Sequence, residues 1–576
     1  MPRRPLFLAF SLACVCLAPL AAQARLHWPL PPHSLARNGT PQKMQSHTRL
    51  PGQTAAVPAL PNRGLHPNAA RGLRRHYSGS PIDVLRYHND NYPTGWNPSE
   101  TDLTPAAVGS ASFGQLTTLN VDGNVLGEPL IVSGFQMPDG STHNVLIVVT
   151  GHNSVYAYDA QDYSVLWHVS LGTPQSSGDV GCGDIEPEYG ISSTPVVVRN
   201  GSSATIYLVA ATEPARFSFH TQLHALDLGT GKDVVSPREI NPQSKIATGG
   251  KIHFDPQNQW NRSALAYNNG SIYVSIGSHC DNNAGSISGW EVRYDASTLK
   301  LTGKFNTIEA AAGYELSSIW MSGFSPAIDP SGNVYAITGN GNYNLGRGMK
   351  GYGESVISLA SDLSKKSVKT FTPSNWQSLN GNDADFGSGG AMLIPTVNGQ
   401  SAPPMLIGMG KAGTAYLLNA SNLGGLEGNG GNVLQKISSL GGCWCGPAYY
   451  LGPSGGIVFY QGGGSTLRAF SVDTTKQTNQ LTQVAQSSDT GGSSGSFPVI
   501  SSNGSAAHTG VTWVIKRGSP TEQLVAYNAE SLGAPLFQAN AGNWSNGSRS
   551  YLSPLVANGR VYVGAYQTVT VFGLTQ

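Results

Sequence analysis

The stretch "NVLIVVTGHNSVYAYDA" (residues 144–160) contains two short apolar runs joined by a polar, glycine-bearing turn. The first run, Val145 to Val149, is continuously apolar and suits a strand buried on both faces. The second, Val155 to Tyr158, is rich in β-formers and ends in Asp159-Ala160, a turn signal. A few residues upstream, "EPLIV" (128–132) leads an apolar strand with a proline.

These three patterns recur in the same order. The first gives "EPLIV", "STPVVV", "RSALAY", "SPAID", "GGAMLIP", "GPAYYL", "SFPVIS" and "LSPLVA". The second gives strands that end in polar or glycine-rich loops, such as "GSIYVSIGS", "GNVYAITGN" and "PMLIGMGKAG". The third is centred on Tyr158, Leu226, Tyr294, Leu359, Leu418, Phe470, Tyr527 and Phe572, with spacings of 45 to 68 residues. Short strands repeating at this period, punctuated by glycine and almost without helix, predict an all-β, eight-bladed β-propeller of four-stranded antiparallel blades. Too little chain follows Phe572 for a fourth strand in the last blade. The segment "LRYHNDNYPTGWNPSETDLTPAAVG...FGQLTTLNV", which starts at Leu85, is expected to supply it and close the ring.

The flanking chain reads differently. Arg3 and Arg4, an apolar run and Ala22-Gln23-Ala24 describe a secretory signal peptide over 1–24. Residues 25–82 are rich in Pro, Arg and His, carry eight Lys and Arg and no acid, and read as a basic, disordered linker. The propeller is then expected over 83–576 as a single domain, in a secreted or periplasmic protein. No later segment is apolar enough to span a membrane. Beyond residue 82 there remain 24 Lys and Arg against 33 Asp and Glu, a net charge near −9, which argues against nucleic acid as a partner.

In an up-and-down blade, the loop entering the inner strand and the loop between strands two and three lie on the same face. Ligand-binding residues are expected there, near the axis. The loops entering inner strands carry Cys182 with Glu186 and Glu188, Trp320, Asp383 with Asp385, and Cys443 with Cys445. The second-strand loops carry His152, Arg216, Cys280 with Asp281, Asn340, Lys411, and Lys516 with Arg517. The loop "NDADFGSGG" (382–390) opens like a helix–loop–helix calcium site, but Gly387 and Ile394 occupy positions that need ligands. "GGSSG" (491–495) fits G-x-S-x-G formally but enters a propeller strand rather than a strand–helix elbow. The four cysteines beyond the signal peptide share the loop face and should pair in an oxidising compartment. Cys182 and Cys280, on neighbouring blades, form one expected bridge. Cys443 and Cys445 form a tight local ring or stay a dithiol.

The third pattern, as in "LHALDLGTGK" (223–232), resembles the repeat of quinoprotein alcohol dehydrogenases, which use pyrroloquinoline quinone (PQQ). The resemblance extends from about Leu85 onward; "RYHNDNYPTGWNPSETDLTPAAV" (86–108) is similar to the family's ring-closing segment. "IDPSGNVYAITGNGNYN" (328–344) resembles the blade-four stretch, which implies Asn340 as a calcium ligand and Trp320 as the ring that stacks on the quinone. "FTPSNWQSLNGNDADFGSGG" (371–390) resembles the run bearing the catalytic aspartate, which implies Asp383, with Asp385 as a turn or supporting residue. "MLIGMGKAGTAYLLN" (405–419) implies Lys411 as the contact to the quinone oxygens. Asp281 is the counterpart of an acidic calcium ligand, and Arg216 the stand-in for an arginine that grips the cofactor carboxylates. The adjacent Cys-Cys pair of many members is missing, and no CxxCH haem site occurs.

The resemblance implies PQQ- and Ca²⁺-dependent oxidation of an alcohol or sugar, with electrons leaving to an external acceptor. The alternative is a non-catalytic propeller of the same type that binds protein or glycan, for which Trp444, Tyr449 and Tyr450 would be surface aromatics.

Overall fold

The computed structural model describes residues 77–575, apart from 246–249, 283–286, 309–315, 344–350, 396–403, 429–432, 474–479, 518–520 and 545–550. The expected signal peptide and the linker up to residue 76 lie outside the described residues. Eight small antiparallel sheets form a ring. In blade one the opening stretch becomes the strands Thr142–Val149 and Ser154–Asp159, paired from Val145↔Asp159 to Val149↔Val155. Asn153 takes the left-handed conformation (φ 61°) that turns the chain between them, and its N–H donates to the Thr150 carbonyl at 3.0 Å.

The inner strands start at Leu130, Val196, Ala266, Ala327, Ala391, Ala448, Val499 and Leu555, for blades one to eight. The second strands are largely buried on both faces, because each blade packs against two neighbours; Met405–Met409 is buried throughout. The outer strand Val165–Ser170 instead has its residues exposed or half-buried. The ring closes as the sequence leads one to expect. Phe113–Asn124 pairs antiparallel with Tyr566–Leu574, from Phe113↔Leu574 onward, and becomes the outer strand of blade eight.

The chain before that strand does something the repeat does not suggest. Residues 84–97 run around the hub. Their backbone or side-chain groups bond to the inner strands of seven blades: Val84 to Ile131, Leu85 to Val197, Arg86 to Tyr267, Asn91 to Ile328, Thr94 to Tyr449, Gly95 to Ile500 and Asn97 to Val556. Tyr87 and His88 stack at 4.1 Å and meet Phe324 edge-on, each at 5.2 Å. Only Phe113–Asn124 of the expected closing segment is strand in blade eight; residues 84–97 line the hub, and the chain between passes along blades seven and eight through a short helix, Pro105–Val108. The packing also reaches a little earlier than the boundary read at residue 83, since Ile82 is buried and its N–H donates to Asn558 Oδ1 at 2.8 Å. Among the described residues no helix is long and apolar enough to cross a membrane.

Candidate functional site

One face of the ring holds a cavity of about 550 Å³ near the axis. It is lined by Asp184 of blade two; Arg262, Ser278, Cys280 and Asp281 of blade three; and Trp320 and Asn340 of blade four. Asp383, Asp385 and Lys411 come from blade five, and Trp444, Ser494 and Tyr551 from blades six to eight. Apart from Ser278, at the end of its strand, all come from the two loop types expected to face the axis on one side.

Glycines let these loops approach one another. A Cβ on Gly387 would lie 2.3 Å from the Gly339 nitrogen, and one on Gly410 would lie 2.3 Å from the Asp385 carbonyl oxygen. The loops carrying Asn340, Asp383 and Lys411 therefore meet backbone to backbone. Several chemistry-bearing loops are also held in left-handed conformations: Cys280 and Asp281 (φ 50° and 51°), Met321 and Ser322 beside Trp320 (38° and 48°), and Asp383 (52°). Such conformations cost energy and persist where surrounding packing enforces them, as at binding sites.

At the centre, Lys411 Nζ lies 2.8 Å from Asp383 Oδ1 and also pairs with Asp385 Oδ2. The two carboxylates differ sharply. The Asp383 side chain is 74% exposed and that of Asp385 4%. Burial pushes the Asp385 carboxyl up to about 6, against the pull of Lys411 and with a further push from Asp281. Partial burial also works on Asp383, but the hydrogen bond and charge of Lys411 and the Asn340 amide outweigh it and hold that carboxyl below its ordinary value. For Lys411, desolvation is outweighed by the two aspartates, and its ammonium is held above the usual lysine range. Asp385 is thus more than a turn residue: its Oδ1 accepts the Asn340 backbone N–H at 2.7 Å and fixes that loop.

The Asn340 amide nitrogen donates to Asp383 Oδ1 at 2.8 Å and to Asp281 Oδ2 at 3.3 Å, while its Oδ1 is buried without a partner. Two carboxylates therefore converge on one point. Turning the amide over would add a third oxygen there, and an all-oxygen set suits a hard cation. A second group of possible ligands, Cys182, Asp184 and Cys280, lies within 4.8 Å, but both sulfurs are committed to the Cys182–Cys280 disulfide. Cys443 and Cys445 are also bonded to each other, and Trp444 projects from their ring into the cavity.

Trp320 has both cavity cations over its ring, Arg262 at 4.6 Å and Lys411 at 5.7 Å; Lys411 also lies 5.6 Å from the Trp444 ring. Arg216 is elsewhere. Its side chain is 74% exposed, pairs with Asp179 at 3.3 Å and rests on Phe217, so it does not serve the cavity. The cavity's second cation is Arg262, at the head of "RSALAY", a stretch read from sequence only as the lead of a strand. Arg262 and Tyr551, which the sequence reading missed, and Trp444, which it named only as a surface aromatic, each sit four residues before their blade's inner strand, so comparing equivalent loop positions would have placed all three at the cavity. Tyr449 and Tyr450 are buried in blade six and offer no surface aromatic patch, which corrects the feature adduced for the scaffold reading.

No protein-family model and no curated protein matches the sequence. Among solved structures the chain is similar to the quinohemoprotein alcohol dehydrogenase from Comamonas testosteroni: 15% identity, TM-score 0.56, covering 85% of this chain and 80% of that one. It is similar also to a quinohemoprotein alcohol dehydrogenase from Pseudomonas putida (14%, TM-score 0.53, 85% and 80% covered). A europium-containing methanol dehydrogenase gives 12% identity and a TM-score of 0.53, with 86% and 98% covered. These likenesses show the fold alone: an eight-bladed β-propeller.

Proposed function

We propose that this protein is a PQQ- and metal-dependent dehydrogenase that oxidises a small alcohol or sugar in a periplasm or outside the cell and passes electrons to a separate acceptor. The observation that carries this reading is the convergence of Asp281, Asn340 and Asp383 on one point beside Lys411 in the axial cavity. Both structural disulfides suit an oxidising compartment.

The residues fit the two groups. Asp281 and the Asn340 oxygen, with the amide turned over, would hold a hard cation such as Ca²⁺ beside Asp383. Trp320 and Trp444 offer aromatic walls to a flat ring system, and Lys411 lies within reach of both. When bound, the quinone would supply a two-electron hydride acceptor, and the cation would polarise its carbonyl.

The protein's own part is proton handling and charge placement. Asp383 is ionised and open to the cavity, which places it to take the alcohol proton as general base, while its pairing with Lys411 lowers its carboxyl and tempers its basicity. Lys411 orients it and puts positive charge where an oxygen gains electron density. Asp385 anchors Lys411 from below and, through the Asn340 N–H, sets the register between the two loops.

Purified protein with added PQQ and Ca²⁺ should bind the quinone stoichiometrically, seen by dialysis and absorbance, and reduce a dye with a panel of alcohols and sugars. Asp383→Asn should keep binding and lose turnover by about 10²- to 10⁴-fold. No stoichiometric binding by the wild type would sink the cofactor reading. Turnover retained by Asp383→Asn would remove Asp383 as the base.

A further inference from the structure

We propose that the groove at the ring closure, on the outer rim between blades seven and eight, binds a neutral oligosaccharide. The groove holds about 560 Å³ and shares no lining residue with the axial cavity. That volume falls within the roughly 300–1,000 Å³ of small-ligand sites. Three strands wall it: Phe537–Asn543, the outer strand of blade seven; Tyr566–Leu574, the third strand of blade eight; and Phe113–Asn124, which closes the ring. The closing strand bulges here. Its pairing steps from Asn120↔Thr568 to Asn124↔Tyr566, so it advances further than its partner and leaves Val121, Asp122 and Gly123 out of register. Bulges of this kind bend a strand and re-aim its side chains beside binding sites. Opposite the bulge, Gln567 is held in the left-handed conformation at φ 57°, a strain that the surrounding packing must enforce.

The lining selects the ligand. Its described side chains are amides, hydroxyls, one tyrosine and one valine, and none is charged. The corresponding seam between blades six and seven is bridged by charge instead: Asp489, near the end of one outer strand, lies 4.0 Å from Lys516 at the end of the next second strand. An uncharged groove offers an acid or a phosphate no counter-charge. It suits an apolar chain no better, because the amides would lose their water and gain no partner. Asn120, Asn543 and Gln567 carry exposed amides that make no side-chain hydrogen bond among the described residues. An amide sets donors and an acceptor side by side, and a sugar hydroxyl is both at once. Tyr566 adds a half-buried ring, an apolar plane against which the C–H face of a pyranose can lie. One corner is already fixed, since the Gly542 N–H donates to Asn540 Oδ1 at 2.9 Å.

This inference goes beyond the axial chemistry and does not rest on it. The groove contains no group that could react with a sugar; it holds one. The purified protein is titrated by calorimetry with cellohexaose, maltohexaose and xylohexaose, and with hexagalacturonate as the charged comparator. The wild type should bind at least one neutral hexasaccharide with a dissociation constant of about 1 mM or lower, and hexagalacturonate more weakly. Tyr566→Ala should weaken that binding about tenfold or more. Asn120→Ala combined with Asn543→Ala should weaken it about 5- to 100-fold, the loss of two neutral hydrogen bonds. Gln538→Ala, on the same outer strand but outside the groove, should leave the affinity unchanged.

Failure of the wild type to bind any of the three neutral sugars overturns the proposal, and so does tighter binding of hexagalacturonate. Undiminished binding by Tyr566→Ala or by the double variant puts the sugar elsewhere, the axial cavity included, and overturns it too. The double variant removes only exposed side chains that bond nothing else, so it decides the matter alone should Tyr566→Ala fail to fold.

Discussion

Glu354 lies behind Asp385, fully buried, with Oε2 accepting the Phe386 backbone N–H at 2.6 Å and Oε1 without a partner. Burial, joined by repulsion from Asp385, pushes its carboxyl from an ordinary 4.5 up to about 9, against the pull of Phe386 N–H and Lys411. At neutral pH the folded protein therefore keeps a proton that the unfolded chain has released. Stability must then fall as pH rises from about 4.5 to about 9 and level off above that, with a slope of about 1.4 kcal/mol per pH unit from this one group. Glu354→Gln keeps the shape and an acceptor for Phe386 but has nothing to titrate. Between pH 6 and pH 8 the variant should gain about 2.7 kcal/mol relative to wild type. Urea unfolding of both proteins across that range measures the difference directly. Parallel stability curves would mean Glu354 is charged at pH 7. The picture of a neutral carboxyl under the paired Asp385 and Lys411 would then be wrong.

Lys411→Met should destabilise the protein by about 3–5 kcal/mol, because Asp385 is left buried and unpaired; Asp385→Asn added to it should restore much of the loss, read as a double-mutant cycle by urea unfolding. The Cys182–Cys280 bridge spans 98 residues, so Cys182→Ser with Cys280→Ser should cost about 2–5 kcal/mol and lower the melting temperature, and a reductant should lower wild type by more than the double variant, in which only the local Cys443–Cys445 bridge is left to reduce.

The blades were legible because each repeats one strand pattern, and repetition survives noise in any single copy. The choice of face was legible for the same reason: topology alone puts Asp281, Trp320, Asn340, Asp383 and Lys411 around one opening. What topology could not fix was how far each loop reaches inward. Arg216 sits on a loop of the right type, but that loop turns outward to Asp179. Arg262 was hidden inside a strand-leading pattern, where a charge looks like noise until the same position is compared across blades. Glu354 lies among Gly353, Ser355 and the third strand of blade four, where no motif marks it. The hub segment was illegible for another reason. Residues 84–97 bond mainly through backbone groups, so their path leaves little trace in side-chain pattern.

That path has a consequence for how the chain is made. Phe113 pairs with Leu574, 461 positions later, and Ile82 pairs with Asn558 across 476. At about 5–20 residues per second, synthesis of the intervening chain takes on the order of half a minute to a minute and a half. For all that time the ribosome holds a blade-eight strand with no partner and a hub segment with too few blades to embrace it. The propeller can lock only after its last strand emerges. Any export machinery or chaperone that handles this protein must therefore keep an early, sticky segment apart until the very end of the chain arrives.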